Sequence, residues 1–365
     1  MTLASEGSLI SLNYVLSNKR IFTGKGQMLP LTEPMAAKIL DRIHGCRVLV
    51  VGDMVVDEHR LGQATRLSRE APVSVIEQNE HLFMPGGGAN LAYNLHSLGA
   101  TVAVAGIVGD DPSSCRLHEM MTASNIQTAG LIKDPSRATP VKLRVWASGD
   151  RQDEHQQVAR IDIVDRTPIK EDYQQELLKY LADAVPTFDC IMISDYENGV
   201  VDDHILTQLI PLAAANGALI AADSHGLLSR FSGIDAITPN QPEAEDELGD
   251  SLSSDTDVLN RGLVLQRKLQ CKHLLITLGA RGMALVSDNY APVLIPARTA
   301  NSVADTTGAG DTVAATFVLA LLTDAKPLHA AQLANIAGSI VVTKLGAATV
   351  SRDEILSLLK NGSAT

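Results

Sequence analysis

The sequence predicts an α/β protein in which a mainly parallel central sheet is covered by helices on both faces and a few half-exposed antiparallel strands stand outside it. Three observations predict it. Short unbroken apolar runs recur along the chain, as strands buried on both faces require. Helical segments alternate with those runs, which implies right-handed crossovers between parallel strands. Two stretches, 59–83 and 139–163, break the alternation with β-branched and polar residues in turn, the pattern of half-exposed antiparallel strands.

Residues 1–33 mix Ser, Gly, Lys and Asn with short apolar pairs and hold no sustained period, so they read as an N-terminal extension. Residues 34–365 are long enough for one large α/β domain or for two small ones. A helical pattern at Glu33–Ile43 leads into Arg47–Gly52, an apolar run ending in Gly. Further buried strands are expected at 101–107, 189–194, 218–222, 236–238 and 273–277, separated by helices at 88–98, 112–124, 170–184, 202–216 and 255–269. In such a sheet ligands gather at the carboxyl ends of the strands.

Charge and cysteines narrow the class. With 42 acidic against 30 basic residues the net charge is −12, a repulsive field for nucleic acid or an anionic membrane. The four cysteines show no C-x-x-C spacing, so neither a zinc site nor a disulfide framework is indicated. No run approaches the roughly 20 apolar residues of a membrane span and no secretory start is present. A cytoplasmic protein is expected.

The chemistry is concentrated in Asp305-Thr306-Thr307-Gly308-Ala309-Gly310-Asp311-Thr312. The apolar run that follows reads as a buried helix, and the small residues before it leave its first N–H groups open to an anion. Gly308, Ala309 and Gly310 permit close backbone approach to a phosphate. A phosphate repels Asp311, yet a general base must reach the hydroxyl that attacks a γ-phosphoryl group. The competing explanation is that Asp305 or Asp311 caps the helix. Pro85-Gly86-Gly87-Gly88-Ala89-Asn90 also implies a close backbone approach to a ligand. It does not follow the first strand with G-x-G-x-x-G spacing, which disfavours a dinucleotide fold, and no G-x-x-x-x-G-K-[S/T] exists.

The octamer resembles the D-T-x-G-A-G-D signature of the ribokinase, or PfkB, family of sugar kinases, and Gly86-Gly87-Gly88-Ala89-Asn90 resembles that family's G-G-x-x-N. The resemblance implies a single domain over residues 34–365, a three-layer sandwich in which 59–83 and 139–163 form a β-sheet lid over the sugar, and ATP and Mg²⁺ as cofactors. It assigns the catalytic base to Asp311 and the anion hole to Gly308–Gly310. Sugar binding falls on Asp57, Gly86, Gly87 and Asn90. Asn240-Gln241-Pro242-Glu243 is similar to the N-x-x-E motif that organises Mg²⁺ through water, with Glu243 nearest the ion. Thr277, Gly279 and Gly282 lie in a turn that relatives set against the nucleotide, although that turn alone is equally an ordinary hairpin. Asn335 occupies a position that touches adenine in relatives, and Asp305 one that serves K⁺ in some.

Within the family the chain looks most like the heptose 7-phosphate kinases, on Thr65-Arg66-Leu67-Ser68-Arg69-Glu70-Ala71-Pro72, Val141-Lys142-Leu143-Arg144, Arg160-Ile161-Asp162 and Ser194-Asp195-Tyr196. Arg66, Lys142, Arg144 and Arg160 are candidate grips for the phosphate of a sugar phosphate. Arg69 stands where those kinases have Pro, Asn198 and His225 where they have Lys. No H-x-G-H follows, so the resemblance covers their kinase half alone. A kinase for another sugar or nucleoside, or a non-catalytic sensor on the same fold, stays open. A lid with an exposed apolar face implies a homodimer.

Overall fold

A computed structural model describes residues 31–148, 155–298, 305–344 and 346–362. Residues 1–30, almost all of the expected extension, lie outside the described residues, and Leu31 is already packed in the core.

The elements run α1 (Glu33–Ile43), β1 (Arg47–Gly52), β2 (Met54–Leu67), β3 (Ser74–Gly87), α2 (Gly88–Ser97), β4 (Thr101–Val108), α3 (Pro112–Ala123), β5 (Gln127–Lys133), β6 (Val141–Ser148) and β7 (His155–Ile163). They continue with α4 (Glu171–Ala184), β8 (Cys190–Asp195), α5 (Asp203–Ala215), β9 (Leu219–Ser224), β10 (Ala236–Ile237), α6 (Gln241–Leu248), α7 (Asp255–Leu269), β11 (His273–Thr277), β12 (Met283–Ser287), β13 (Val293–Ile295), α8 (Ala309–Leu322), α9 (Pro327–Val341) and α10 (Arg352–Gly362).

Nine strands form the central sheet in the order β13-β12-β11-β10-β9-β8-β1-β4-β5. Every neighbour pair is parallel except β11 with β12 and β12 with β13. Successive β1 residues face opposite ways: Val48 and Val50 join the core under α1, α2, α8 and α9, whereas Leu49 and Val51 join the core under α4, α5 and α7. A strand buried on both sides has no place for an alternating pattern, which is why these runs are uniformly apolar.

The second sheet has the order β3-β2-β6-β7. Its central pair, β2 with β6, is parallel rather than antiparallel. The cause is connectivity: between β3 and β6 the chain returns to the main domain for α2, β4, α3 and β5, and it re-enters the lid running in the direction of β2. Pro85-Gly86-Gly87 is the end of β3, paired with Met54, Val55 and Val56.

Candidate active site

Gly308 adopts the left-handed conformation (φ 73°) and turns the chain into α8 without any side-chain cap. The capping explanation for the two acids therefore fails. Asp305 accepts the N–H groups of Thr307 (2.9 Å) and Gly346 (3.0 Å), tying the signature turn to the segment after α9. Burial opposes its charge, but those N–H groups hold its carboxyl below the usual range. A Cβ on Gly308 would stand 2.5 Å from Asn90 Nδ2, whereas one on Gly310 would meet nothing within 4 Å. The first demand comes from packing and the second leaves the helix N-terminus open, with its positive end unshielded.

Asp311 lies in the first turn of α8 and is 3% exposed. Its Oδ2 accepts from Asn90 Nδ2 at 2.5 Å, and its Oδ1 accepts from the Tyr196 hydroxyl at 3.2 Å. Burial, reinforced by the nearby Asp223 carboxylate, pushes its pKa up to about 7, against the opposing pull of Asn90, His225 and Tyr196. A buried carboxylate poised near neutrality suits a general base.

These groups open into a cavity of about 1050 Å³, at or above the usual upper size of about 1,000 Å³ for a single small-molecule site. Its walls bring together Asp57, Gly86, Gly87, Asn90, Arg144, Asn240, Glu243, Thr277, Gly279, Gly282, Gly308, Ala309, Gly310, Asp311 and Asn335. The turn after β11 is thus both a hairpin to β12 and a cavity wall. Asn335 Nδ2 donates to the Pro296 carbonyl at 2.8 Å, and Asn240 caps α6 in a reciprocal pair with Glu243.

Asp57 and Arg144 form a buried ion pair at 2.9 Å across the β2 and β6 ladder. Gly86 is glycine for this reason: its Cβ would fall 2.8 Å from the Asp57 carboxyl carbon. Asp53 turns away and accepts the backbone N–H groups of Tyr196, Asn198 and Val200. Lys142 Nζ sits 4.3 Å from the centre of the Tyr196 ring, and burial lowers its pKa against the pull of Asp57.

Two expected cations, Arg66 and Arg160, do not line the cavity, and neither does Arg69. Arg66 and Arg69 are exposed near the outer end of the lid hairpin. Arg160 is held by Asp162 two residues away at 2.7 and 2.8 Å, because both face the same side of β7. Asp305 also lies outside the lining.

Sequence reasoning missed a cluster at the carboxyl ends of β8 and β9. The Tyr196 ring meets His225 edge-on at 4.5 Å, and His225 Nδ1 lies 2.6 Å from Glu243 Oε1. That hydrogen bond raises the His225 pKa. Asp223, buried beside them and bonded by the Thr238 hydroxyl at 3.2 Å, is pushed up to about 6 by burial. The strand-end rule pointed at both turns. Of the two replaced lysine positions only His225 reaches the cavity; Asn198 is buried, its carbonyl bonded by Arg137 at 2.7 Å.

The model of the pfkB family carbohydrate kinases matches residues 47–354. The chain belongs to that family. The kinase is 36% identical to the bifunctional protein HldE of Desulfatibacillum aliphaticivorans over 317 residues, covering 87% of this chain and 63% of that protein. It is also 36% identical to the protein of the same name from Helicobacter acinonychis, over 86% of this chain and 66% of the relative. The kinase thus spans a little under two thirds of these relatives' length. Its fold matches phosphofructokinase-2 from Escherichia coli in complex with substrates and products, with a TM-score of 0.72 at 20% identity over 87% of this chain and 99% of the other. Arabidopsis thaliana ribokinase complexed with ribose and ATP gives a TM-score of 0.67, also at 20% identity, over 86% and 99%. Among the described residues no helix is long and apolar enough to cross a membrane.

Proposed function

We propose that the kinase transfers the γ-phosphoryl group of ATP to the anomeric hydroxyl of a heptose 7-phosphate. The observation that carries this reading is that one cavity holds Asp311 beside an open helix N-terminus and, on its lid side, two cations, Lys142 and Arg144. Asp311 takes the proton of the acceptor hydroxyl, whose oxygen bonds to the γ-phosphorus as the bond to the β,γ-bridging oxygen breaks and ADP leaves. The N–H groups at Gly308–Gly310 stabilise the charge on the phosphoryl oxygens. Asp57, Gly86, Gly87 and Asn90 hold the sugar, with Arg144 toward its phosphate. Thr277, Gly279, Gly282 and Asn335 receive the nucleotide.

The donor set fits Mg²⁺: Glu243, Asn240 and Asp223 offer hard oxygens. Among the described residues no group of three or more acidic, His or Cys side chains could hold a metal alone. That suits an ion which keeps several waters and leans on substrate phosphates. When bound it neutralises charge between the β- and γ-phosphates. Potassium activation would act through Asp305, whose carboxylate already accepts two backbone N–H groups.

The outer lid supports a homodimer. Ile161 and Ile163, 52% and 47% exposed, face away from Arg160 and Asp162 along β7. Four free thiols and the use of ATP fit the cytoplasm.

A coupled ADP-release assay across phosphorylated and free heptoses, hexoses and nucleosides tests the reading. Turnover should be highest with a heptose 7-phosphate, and preference for an unphosphorylated acceptor would overturn it. The His225 imidazole, where similar kinases carry Lys, favours a second reading, a kinase for a different sugar phosphate, which the same panel distinguishes.

A further inference from the structure

Six buried side-chain polar atoms lack a hydrogen-bond partner among the described residues, and three lie together on the lid: Asp57 Oδ1, His59 Nε2 and Arg144 Nη1. Asp57 and His59 are two residues apart on β2 and so share a face, and His59 pairs in register with Arg144 on β6. That face lines the cavity at Asp57 and Arg144. The ion pair brings Arg144 to 2.9 Å from Asp57 without the alignment of a hydrogen bond. Each buried unsatisfied group costs about 1–3 kcal/mol, and native folds keep few. Three on one sheet face, two in the cavity lining and His59 next to them just beyond it, mark a place that a polar ligand completes.

The proton on His59 is located by its neighbour. Trp146 Nε1 donates to His59 Nδ1 at 3.0 Å, with the two rings within 5° of parallel. An indole N–H only donates, so Nδ1 is the acceptor and Nε2 carries the hydrogen. His59 is 6% exposed and Arg144 7%, so both donors are shielded from bulk water. Met54, at the start of β2, pairs with Gly87 close to Asn90 and Asp311. His59 therefore stands roughly 7 Å beyond Asp57 along the strand, farther from the reacting centre. Around it lie the charges of Asp57, Arg144 and Asp305, with Lys142 one register step inward.

We propose that His59 Nε2–H and Arg144 together bind the phosphate that the acceptor itself carries, at the end remote from the hydroxyl that reacts, with Trp146 as the positioning residue that fixes the donor. This rests on the proposed use of a sugar phosphate. His59 thereby becomes a specificity-determining contact that discriminates a phosphorylated acceptor from its free counterpart.

Steady-state constants for wild type, His59→Leu, His59→Gln and Trp146→Phe, each with a phosphorylated sugar and the same sugar unphosphorylated, test it. His59→Leu should raise KM for the phosphorylated acceptor about tenfold or more, the loss of one hydrogen bond to a charged group, with kcat and the KM for ATP within about twofold. His59→Gln, which keeps an N–H donor, should recover most of that loss. Trp146→Phe leaves His59 in place but frees its tautomer; an about threefold rise is expected, and it covers the case in which His59→Leu does not fold. Wild-type use of the phosphorylated sugar with unchanged KM in His59→Leu and Trp146→Phe overturns this inference and leaves the proposed function standing. Wild-type activity confined to free sugars overturns both.

Discussion

Asp311 and Arg144 line one cavity from different elements, and their supports differ in kind. Asp311 begins a helix whose next turns are buried, and the Thr312 hydroxyl donates to Asn94 Oδ1 at 2.8 Å while Asn94 donates to the Asn90 carbonyl at 3.0 Å. Asp311, its partner Asn90 and the open N-terminus of α8 are therefore fixed by one packed pair, α2 against α8. Arg144 sits on a four-stranded sheet with Leu82 40% and Ile161 52% exposed, and its close charged partner, Asp57, lies on the neighbouring strand. The floor is rigid through core packing and the lid is held mostly by its own ladder. Groups that act on the reacting atoms belong on the first, and groups that select the acceptor tolerate the second.

That contrast predicts a division of kinetic effects, kcat for the floor and acceptor KM for the lid. The largest change should come from Asp311→Asn, which keeps the shape but removes the base: kcat falls about 10²- to 10⁴-fold with nucleotide binding retained, as calorimetry with ATP will show. Near-normal turnover would remove the base assignment. Gly86→Ala should act on the lid side, since the new methyl group crowds the Asp57 carboxylate. An about tenfold rise in acceptor KM is expected with little change in kcat, corresponding to about 1–3 kcal/mol of overpacking.

A smaller effect separates the walls by pH. Asp311 is active when deprotonated, and its pKa is raised to about 7, so kcat should rise with pH through that value. Tyr196 donates to the charged form and lowers that pKa. Tyr196→Phe should shift the acid limb to higher pH and cost about three- to tenfold at pH 7; an unmoved limb would detach Tyr196 from the base. Arg66→Ala, at the exposed outer lid, should leave both constants within about twofold, and a large KM effect would show that the lid reaches farther over the acceptor than these walls indicate.

Much of the fold was legible because strands buried on both faces leave a local signature. Residues 48–51 and 274–276 are unbroken apolar runs, and Asp255–Leu269 carries its own Ser254 cap. The direction of β6 was not legible, since an alternating strand looks the same in either orientation and only the path through α2 to β5 decides it.

The site divides along the same line. The octamer determined by itself that a glycine turn, open N–H groups and a carboxylate stand together, because that arrangement needs only neighbouring residues. Tertiary structure alone decided which distant groups surround that carboxylate. Tyr196 and Asn90 reach Asp311 from 115 and 221 residues away, and His225 arrives from the end of β9. It also left Arg66 at the exposed outer end of the lid and tied Arg160, on the edge strand β7, to Asp162, while admitting its register partner Arg144 to the cavity, since a residue's place along and across the sheet, not its type, decides what its side chain reaches.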